Sequence, residues 1–184
     1  EAARSAGYPN IKVNAVIVRG RNDDEVVDLA RFARRNSLTV RFIEFMPLDS
    51  GRIWDRKYLV PAAEIRETIN SAFPIVLINP SRKGETAWRY RFVDGTVGEI
   101  GLIASVTDAF CGDCSRIRLT ADGQIRTCLF STQEYDVREL LRSGGSRSDV
   151  TELIRFAVAR KEFGHKIGSS TFTNPSRPMS SIGG

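Results

Sequence analysis

The segment FCGDCSRIRLTADGQIRTCLF, residues 110–130, contains all three cysteines of the 184-residue chain. Two residues separate Cys111 from Cys114, and thirteen separate Cys114 from Cys128. Polar and apolar side chains alternate over residues 116–120 and again from residue 124, and the Asp122-Gly123 pair between them is a favoured hairpin turn. The pattern predicts a β-hairpin that returns Cys128 towards the other two cysteines. This spacing is typical of a metal site.

Three thiolates are compatible with three kinds of site. A 4Fe-4S cluster takes four ligands, so three cysteines would leave one iron open to a ligand from outside the protein. A structural zinc ion requires a closed fourth position, and the one histidine, His165, lies outside the usual short ligand spacings. The third alternative is a set of free thiols buried in a hairpin core. Alternation places Arg116 and Arg118 on one strand face, which predicts two guanidinium groups beside the metal.

These residues resemble the C-terminal cluster motif of the GTP 3′,8-cyclases of molybdenum cofactor biosynthesis, a family of radical S-adenosylmethionine (SAM) lyases. The motif is Phe-Cys-x2-Cys with Arg-x-Arg following and a third cysteine separated from the second by thirteen residues, as in residues 110–128. The similarity continues along the chain and covers only the second half of the family. It is carried by KVNAVIVRGRNDDE at 12–25, RFIEFMPLDSG at 41–51 and RPMSSIGG at 177–184.

The resemblance implies a role for each matching residue. Cys111, Cys114 and Cys128 would hold a 4Fe-4S cluster whose open iron binds the guanine of GTP. The residues implied in GTP binding are Lys12, Arg41, Arg116, Ile117 and Arg118, while Met46 would contact SAM. The Gly183-Gly184 end would reach into the active site.

The family's second cluster, which cleaves SAM, is held by a Cys-x3-Cys-x2-Cys motif that these residues lack. We therefore expect this chain to be the substrate-binding half, inactive alone, with the missing N-terminal radical-SAM half as its partner and a homodimer as the complete enzyme. The competing hypothesis is a non-catalytic module, either an iron–sulfur electron-transfer domain or a zinc-stabilised nucleotide-binding domain.

The rest of the sequence predicts an α/β fold. A strand at 11–18, a helix from residue 22 to Asn36 and a strand at 39–47 form a βα unit of a parallel sheet, with Met46 at the carboxyl end of a strand. A helix follows at 61–73. By resemblance, residues 1–73 are the C-terminal part of an incomplete (βα) radical-SAM barrel. Residues 74–184 are then an α+β domain whose antiparallel hairpins carry the cluster, ending in a flexible Gly-Gly tail.

Within that second domain, the Asp94-Gly95 turn predicts another hairpin at 88–105, which we expect beside the cysteine hairpin as one antiparallel platform. Amphipathic helices at 137–142 and 149–163 would cover this platform. We expect His165 to be a capping or surface group, and the last twenty residues to form a tail without regular structure.

Composition narrows the class of partner. No run of about eighteen apolar residues or signal segment is present, and the cysteines are grouped at metal spacing, which predicts a soluble cytoplasmic protein. A formal charge of +5 is spread along the chain without a nucleic-acid-binding motif, so a phosphorylated small molecule is the expected anion.

Because Glu1 to Gly7 resembles the end of a helix, we also expect the chain to begin inside a domain.

Overall fold

The computed structural model describes residues 1–49, 51, 53–80 and 84–182. Contacts divide the chain into two compact units. The first comprises Glu1–Met46 and Asp55–Asp113, and the second comprises Pro47–Trp54 and Cys114–Gly184. The predicted domain boundary after residue 73 stays a prediction.

The first unit is built on a five-stranded mixed sheet. Its strands are β1 (Lys12–Ile17), β2 (Thr39–Glu44), β3 (Ile75–Leu77), β4 (Trp88–Phe92) and β5 (Glu99–Ile103), and its helices are α1 (Ala2–Ser5), α2 (Val26–Asn36) and α3 (Ala62–Ala72). The strand order is β1-β2-β5-β4-β3. β2 is parallel to both β1 and β5, whereas β4 is antiparallel to β5 and β3.

One face of this sheet packs against α2 and α3. Alternation along β2 buries Val40, Phe42 and Glu44 and leaves Arg41 on the opposite face. The apolar residues of this core include Ile17, Val40, Phe42, Ile100 and Leu102 from the sheet and Ala30, Ala33, Ile65 and Ile69 from the helices. The polar face of the sheet is therefore available to form a site.

The predicted βα unit, the helix at 61–73 and the hairpin at 88–105 are confirmed. The predicted platform is wrong, because β4 and β5 belong to the large sheet and the cysteine hairpin lies in a different sheet. The physical reason lies in β5, where Ile100, Gly101 and Leu102 are all buried and the strand needs a neighbour on both edges. β4 pairs with one edge of β5, and β2 pairs with the other.

The second unit contains a three-stranded antiparallel sheet, β6-β7-β8, and two helices. The bounds are β6 (Arg118–Leu119), β7 (Gln124–Arg126), β8 (Tyr135–Asp136), α4 (Val137–Arg142) and α5 (Arg147–Ala159). Ser146 and Asp149 form a capping box that begins α5. Both helices contact β7, so they pack on the cysteine hairpin, although the two-hairpin platform that they were expected to cover does not form.

The end of the described chain is packed rather than free. Residues Met179–Ser181 form a 3₁₀ turn, and the Ile182 side chain is completely buried. The expectation of a loose tail is thus wrong for residues 177–182, while the Gly183-Gly184 pair lies outside the described residues. Among the residues with described positions, no helix is long and apolar enough to cross a membrane.

Candidate functional site

The cysteine hairpin forms, but its first strand, β6, contains only Arg118 and Leu119, so Arg116 precedes the strand instead of sharing its face. Arg118 pairs with Arg126 and Leu119 with Ile125 across β6 and β7. The turn closes with Thr120 N–H donating to the Gln124 carbonyl at 2.9 Å, and Gly123 adopts a φ of +84° that favours glycine. β7 then leads directly into Cys128.

The three cysteines are reduced and half-buried. Cys111 begins a 3₁₀ turn, Cys111–Asp113, at the end of the first unit, whereas Cys114 and Cys128 belong to the second. Within the described part of the chain, no three histidine, cysteine or carboxylate side chains form a group close enough to hold a metal ion. The predicted three-cysteine ligand set therefore stays a prediction.

Basic groups surround the two cysteines of the second unit. Burial raises the pKa of Cys114, but hydrogen bonds from the backbone and side chain of Arg116, with the charges of Arg116 and Lys161, outweigh burial and hold this pKa below its usual value. The Cys128 sulfur accepts a hydrogen bond from Phe130 N–H at 3.5 Å. A stabilised thiolate is the form of cysteine that ligates metals.

Arg118 shares this environment. Burial lowers the pKa of Arg118, as does the charge of Arg116, while Cys128 and Cys114 act in the opposite direction, and the net shift is downward. The structure thus brings Arg116, Arg118 and two of the cysteines into electrostatic range of one another. Ile117, between the arginines, is 41% exposed, which is compatible with contact to a bound molecule.

This donor set fits an iron–sulfur cluster in chemical terms. Thiolates are the ligands of such clusters, and the nearby guanidinium and ammonium groups would offset the negative charge of the bound group. Lys161 Nζ donates to the Arg116 carbonyl at 3.0 Å and also to the Thr127 carbonyl. It therefore joins the strands that lead from Cys114 and into Cys128.

Lys12 and Arg41 lie on the polar face of the first unit's sheet. They line a cavity of about 520 Å³ together with Arg89, Glu99 and Gly101. A Cβ atom at Gly101 would lie 3.0 Å from Arg41 Cγ, so the glycine makes room for the arginine stem. Within this cavity, Arg89 is paired with Glu99 at 2.9 Å. Lys12 and Arg41 thus line one cavity, as a shared ligand would require.

Met46 follows β2 by two residues and is half-buried.

His165 packs its ring edge-on against Phe130, with centroids 5.2 Å apart, and its Nδ1 accepts a hydrogen bond from Ile167 N–H at 3.3 Å. Both features are consistent with the expected structural role of His165, although the ring also lines a cavity of about 220 Å³ with Cys128.

Sequence reasoning missed Glu44, a carboxylate that is completely buried at the end of β2. It accepts hydrogen bonds from Ala62 N–H at 2.8 Å, Val106 N–H at 2.7 Å and Thr107 N–H at 2.9 Å, and from the Thr107 hydroxyl. It therefore joins the start of α3 to the loop that precedes Cys111. The available signal was a charged residue at an apolar-face position of the alternating run TVRFIE.

Comparison with known proteins identifies the family. Residues 38–167 match the model of the family described as Molybdenum Cofactor Synthesis C. This chain belongs to that family. The Molybdenum Cofactor Synthesis C region covers most of both sheets and all three cysteines.

Curated relatives of this chain are named GTP 3′,8-cyclase, and three of them illustrate the similarity. The protein of Streptomyces coelicolor is 43% identical over 183 residues, and that of Rhodopirellula baltica is 44% identical over 188. The mitochondrial protein of Arabidopsis thaliana is 41% identical over 184. Each alignment covers 100% of this chain but only 54%, 52% and 47% of the respective relative. The chain therefore spans about half the length of the curated relatives that it matches.

Proposed function

We propose that this chain is the substrate-binding part of a GTP 3′,8-cyclase, the lyase that converts GTP to 3′,8-cyclo-7,8-dihydro-GTP in molybdenum cofactor biosynthesis. The observation that carries the proposal is the C-x2-C-x13-C set on a basic hairpin, within a chain that aligns over its whole length with proteins of that name. We expect it to be localised in the cytoplasm, where thiols remain reduced.

The proposed cofactor is a 4Fe-4S cluster held by Cys111, Cys114 and Cys128. When bound, it would supply one iron with an open coordination position for the guanine base. The low pKa of Cys114 supports a thiolate ready to ligate metal.

Arg116, Ile117 and Arg118 are proposed to bind GTP beside that iron. A guanidinium presents a planar fork of donors that suits phosphate oxygens and base acceptors. Desolvation strengthens such bonds, and Arg118 is sufficiently buried for its pKa to fall. These three residues would therefore offer both positive charge and directed hydrogen bonds to a nucleotide.

Lys12 and Arg41 are proposed as further GTP contacts. Their cavity of about 520 Å³ falls within the usual range of small-molecule sites. Arg89 lies between two carboxylates of the same cavity, Glu99 at 2.9 Å and Glu85 at 3.9 Å. Among the described residues that line the cavity, the three cations, which include Lys12 and Arg41, therefore exceed the two carboxylates by one positive charge, which suits an anionic phosphate. Met46 is proposed to contact SAM in the complete enzyme.

The complete enzyme would contain an N-terminal radical-SAM half and act as a homodimer. Residues 1–73 would complete its partial barrel, and residues 74–184 would form the domain that binds the second cluster and GTP. With its three cysteines assigned to one cluster, these 184 residues have none for a SAM-cleaving cluster. We therefore expect this chain alone to leave GTP unchanged.

Co-expression with an N-terminal half that carries Cys-x3-Cys-x2-Cys tests the proposal. Anaerobic assay of the purified pair with SAM, GTP and a reductant should yield the 3′,8-cyclised nucleotide. The same pair with Cys128→Ala is the matched control and should be inactive. If an assembled pair with both clusters loaded bound GTP but never converted it, the cyclase proposal would be wrong. Cluster loading without GTP binding would instead favour an electron-transfer module.

A further inference from the structure

Arg126 is a buried cation that organises the loop after β7. Its side chain is only 1% exposed, and its Nη1 donates to Glu134 Oε1 at 2.6 Å. Nη2 donates to the carbonyls of Ser131 and Leu129, which flank Phe130. Phe130 N–H in turn donates to the Cys128 sulfur. Arg126 therefore fixes the backbone that determines the surroundings of Cys128.

Arg177, the first residue of the packed C-terminal residues 177–182, also binds the Glu134 carboxylate. Its Nε lies 2.7 Å from Glu134 Oε1, and its Nη2 donates to Glu134 Oε2 at 3.0 Å. Two further bonds, of 3.1 and 2.7 Å, run in parallel from Arg177 to both oxygens of Asp122 in the hairpin turn. Paired bonds of this kind fix orientation as well as distance.

Residues 177–182, which we call the C-terminal segment, are also held by contacts that carry no charge. Met179 N–H donates to the Leu48 carbonyl at 3.0 Å. Ile182 is completely buried. The segment thus has an ionic anchor at one end and an apolar anchor at the other, and either can be removed separately.

Glu134 is shared between the two arginines, so its position matters to both. A buried guanidinium is tolerated only when a partner compensates for its lost hydration, and Glu134 is the carboxylate that bonds to Arg126. Arg177 binds both oxygens of Glu134 and holds that carboxylate towards Arg126. Asp122 balances the second positive charge, so the four residues alternate in sign.

We propose that the docked C-terminal segment orders the Cys128 loop, because Arg177 holds Glu134 against the buried Arg126. Arg177 is thus a positioning residue for Cys128. This inference does not depend on the proposed cyclase function, since it concerns the metal-free chain and the reactivity of a thiol.

The test is cysteine-specific alkylation of the metal-free full chain with iodoacetamide at neutral pH, followed over time by peptide mass spectrometry. Arg177→Ala should accelerate alkylation of Cys128 on the order of tenfold, as expected for easier local opening. Cys111, which belongs to the other unit, should change less than about twofold. Arg177→Lys should give an intermediate rate, because one ammonium cannot reproduce the paired bonds to two carboxylates.

Two further variants separate positioning from general destabilisation. Ile182→Ala removes the apolar anchor and leaves all four charges in place, and it should also accelerate Cys128 selectively. Arg155→Ala, at an exposed position on α5, is the matched control and should leave all rates unchanged. An unchanged Cys128 rate in Arg177→Ala would overturn the proposal. Equal acceleration of Cys111 and Cys128 would also overturn it, because that result indicates global unfolding.

Discussion

Replacing Glu44 with glutamine tests whether its carboxylate is the bond between α3 and the loop before Cys111. Glu44 Oε1 accepts from Ala62 N–H and the Thr107 hydroxyl, and Oε2 accepts from the N–H groups of Val106 and Thr107. A glutamine NH₂ in place of Oε2 would face the two backbone N–H donors of Val106 and Thr107. In place of Oε1 it would face the Ala62 N–H donor, whereas the Thr107 hydroxyl could turn to accept a hydrogen bond from it. In the more favourable orientation one of the four hydrogen bonds is therefore lost, the one from Ala62 N–H, and the remaining three no longer involve a charged group.

The magnitude follows from burial. Hydrogen bonds to a charged group contribute about 1.5–3 kcal/mol each, and the side chain has no access to water that could replace them. The anion also lies at the N-terminus of α3, where the helix dipole favours negative charge. Allowing for the lower desolvation cost of an amide, we expect Glu44→Gln to lower the free energy of unfolding by about 2–4 kcal/mol.

Urea unfolding followed by tryptophan fluorescence measures this change. Glu67→Gln is the matched control, because Glu67 is exposed on α3 and its replacement should change the free energy of unfolding by less than about 0.5 kcal/mol. A loss below about 1 kcal/mol in Glu44→Gln would refute the reasoning, since it would mean that the four donors do not depend on the carboxylate.

Two predictions concern the second unit. Alanine at Arg116 or Arg118 should weaken GTP binding by about 1.5–3 kcal/mol, measured by calorimetry on the cluster-loaded chain, with Arg155→Ala as control; equal affinities in all three variants would contradict their assignment. Hydrogen bonds from Arg177, with help from Thr120, hold the pKa of Asp122 well below its usual range. Because the folded-state pKa is lowered, the ionised Asp122 carboxylate stabilises the fold at pH values above its ordinary pKa of about 3.9. The loss of unfolding free energy in Asp122→Asn should therefore have its full size at pH 6–7. That difference from wild type should shrink progressively below about pH 4, and a difference that grew on acidification would be inconsistent with this ion pair.

The local sequence pattern was sufficient to predict the main helices and strands and the pairing of the cysteine hairpin. The alternation of residues 116–126 and the Asp122-Gly123 turn predict pairing that depends on neighbours in sequence, and β6 and β7 pair in that way. The helix α2 likewise ends at Asn36, where its apolar period ends. In each case the physical cause lies within about one turn of chain.

Long-range partners could not be predicted in the same way. The parallel pairing of β5 with β2 depends on which edge of an apolar strand is covered, and periodicity carries no information about that choice. Arg177 finds Glu134 and Asp122 across 43 and 55 residues. Nothing in the Ser- and Pro-rich sequence around Arg177 indicates a partner. Glu44 lies between these two cases: the alternation of β2 predicts that its side chain is buried, but the sequence does not indicate the four groups that donate hydrogen bonds to it.

The most direct test of the account is Mössbauer spectroscopy of the chain after anaerobic reconstitution with ⁵⁷Fe and sulfide, recorded with and without GTP. The account predicts a 4Fe-4S spectrum in which one iron site changes when GTP is added, and no cluster in the variant with Cys111, Cys114 and Cys128 all replaced by alanine. A cluster whose iron sites are all unaffected by saturating GTP, or one that persists in the triple variant, would contradict the central claim.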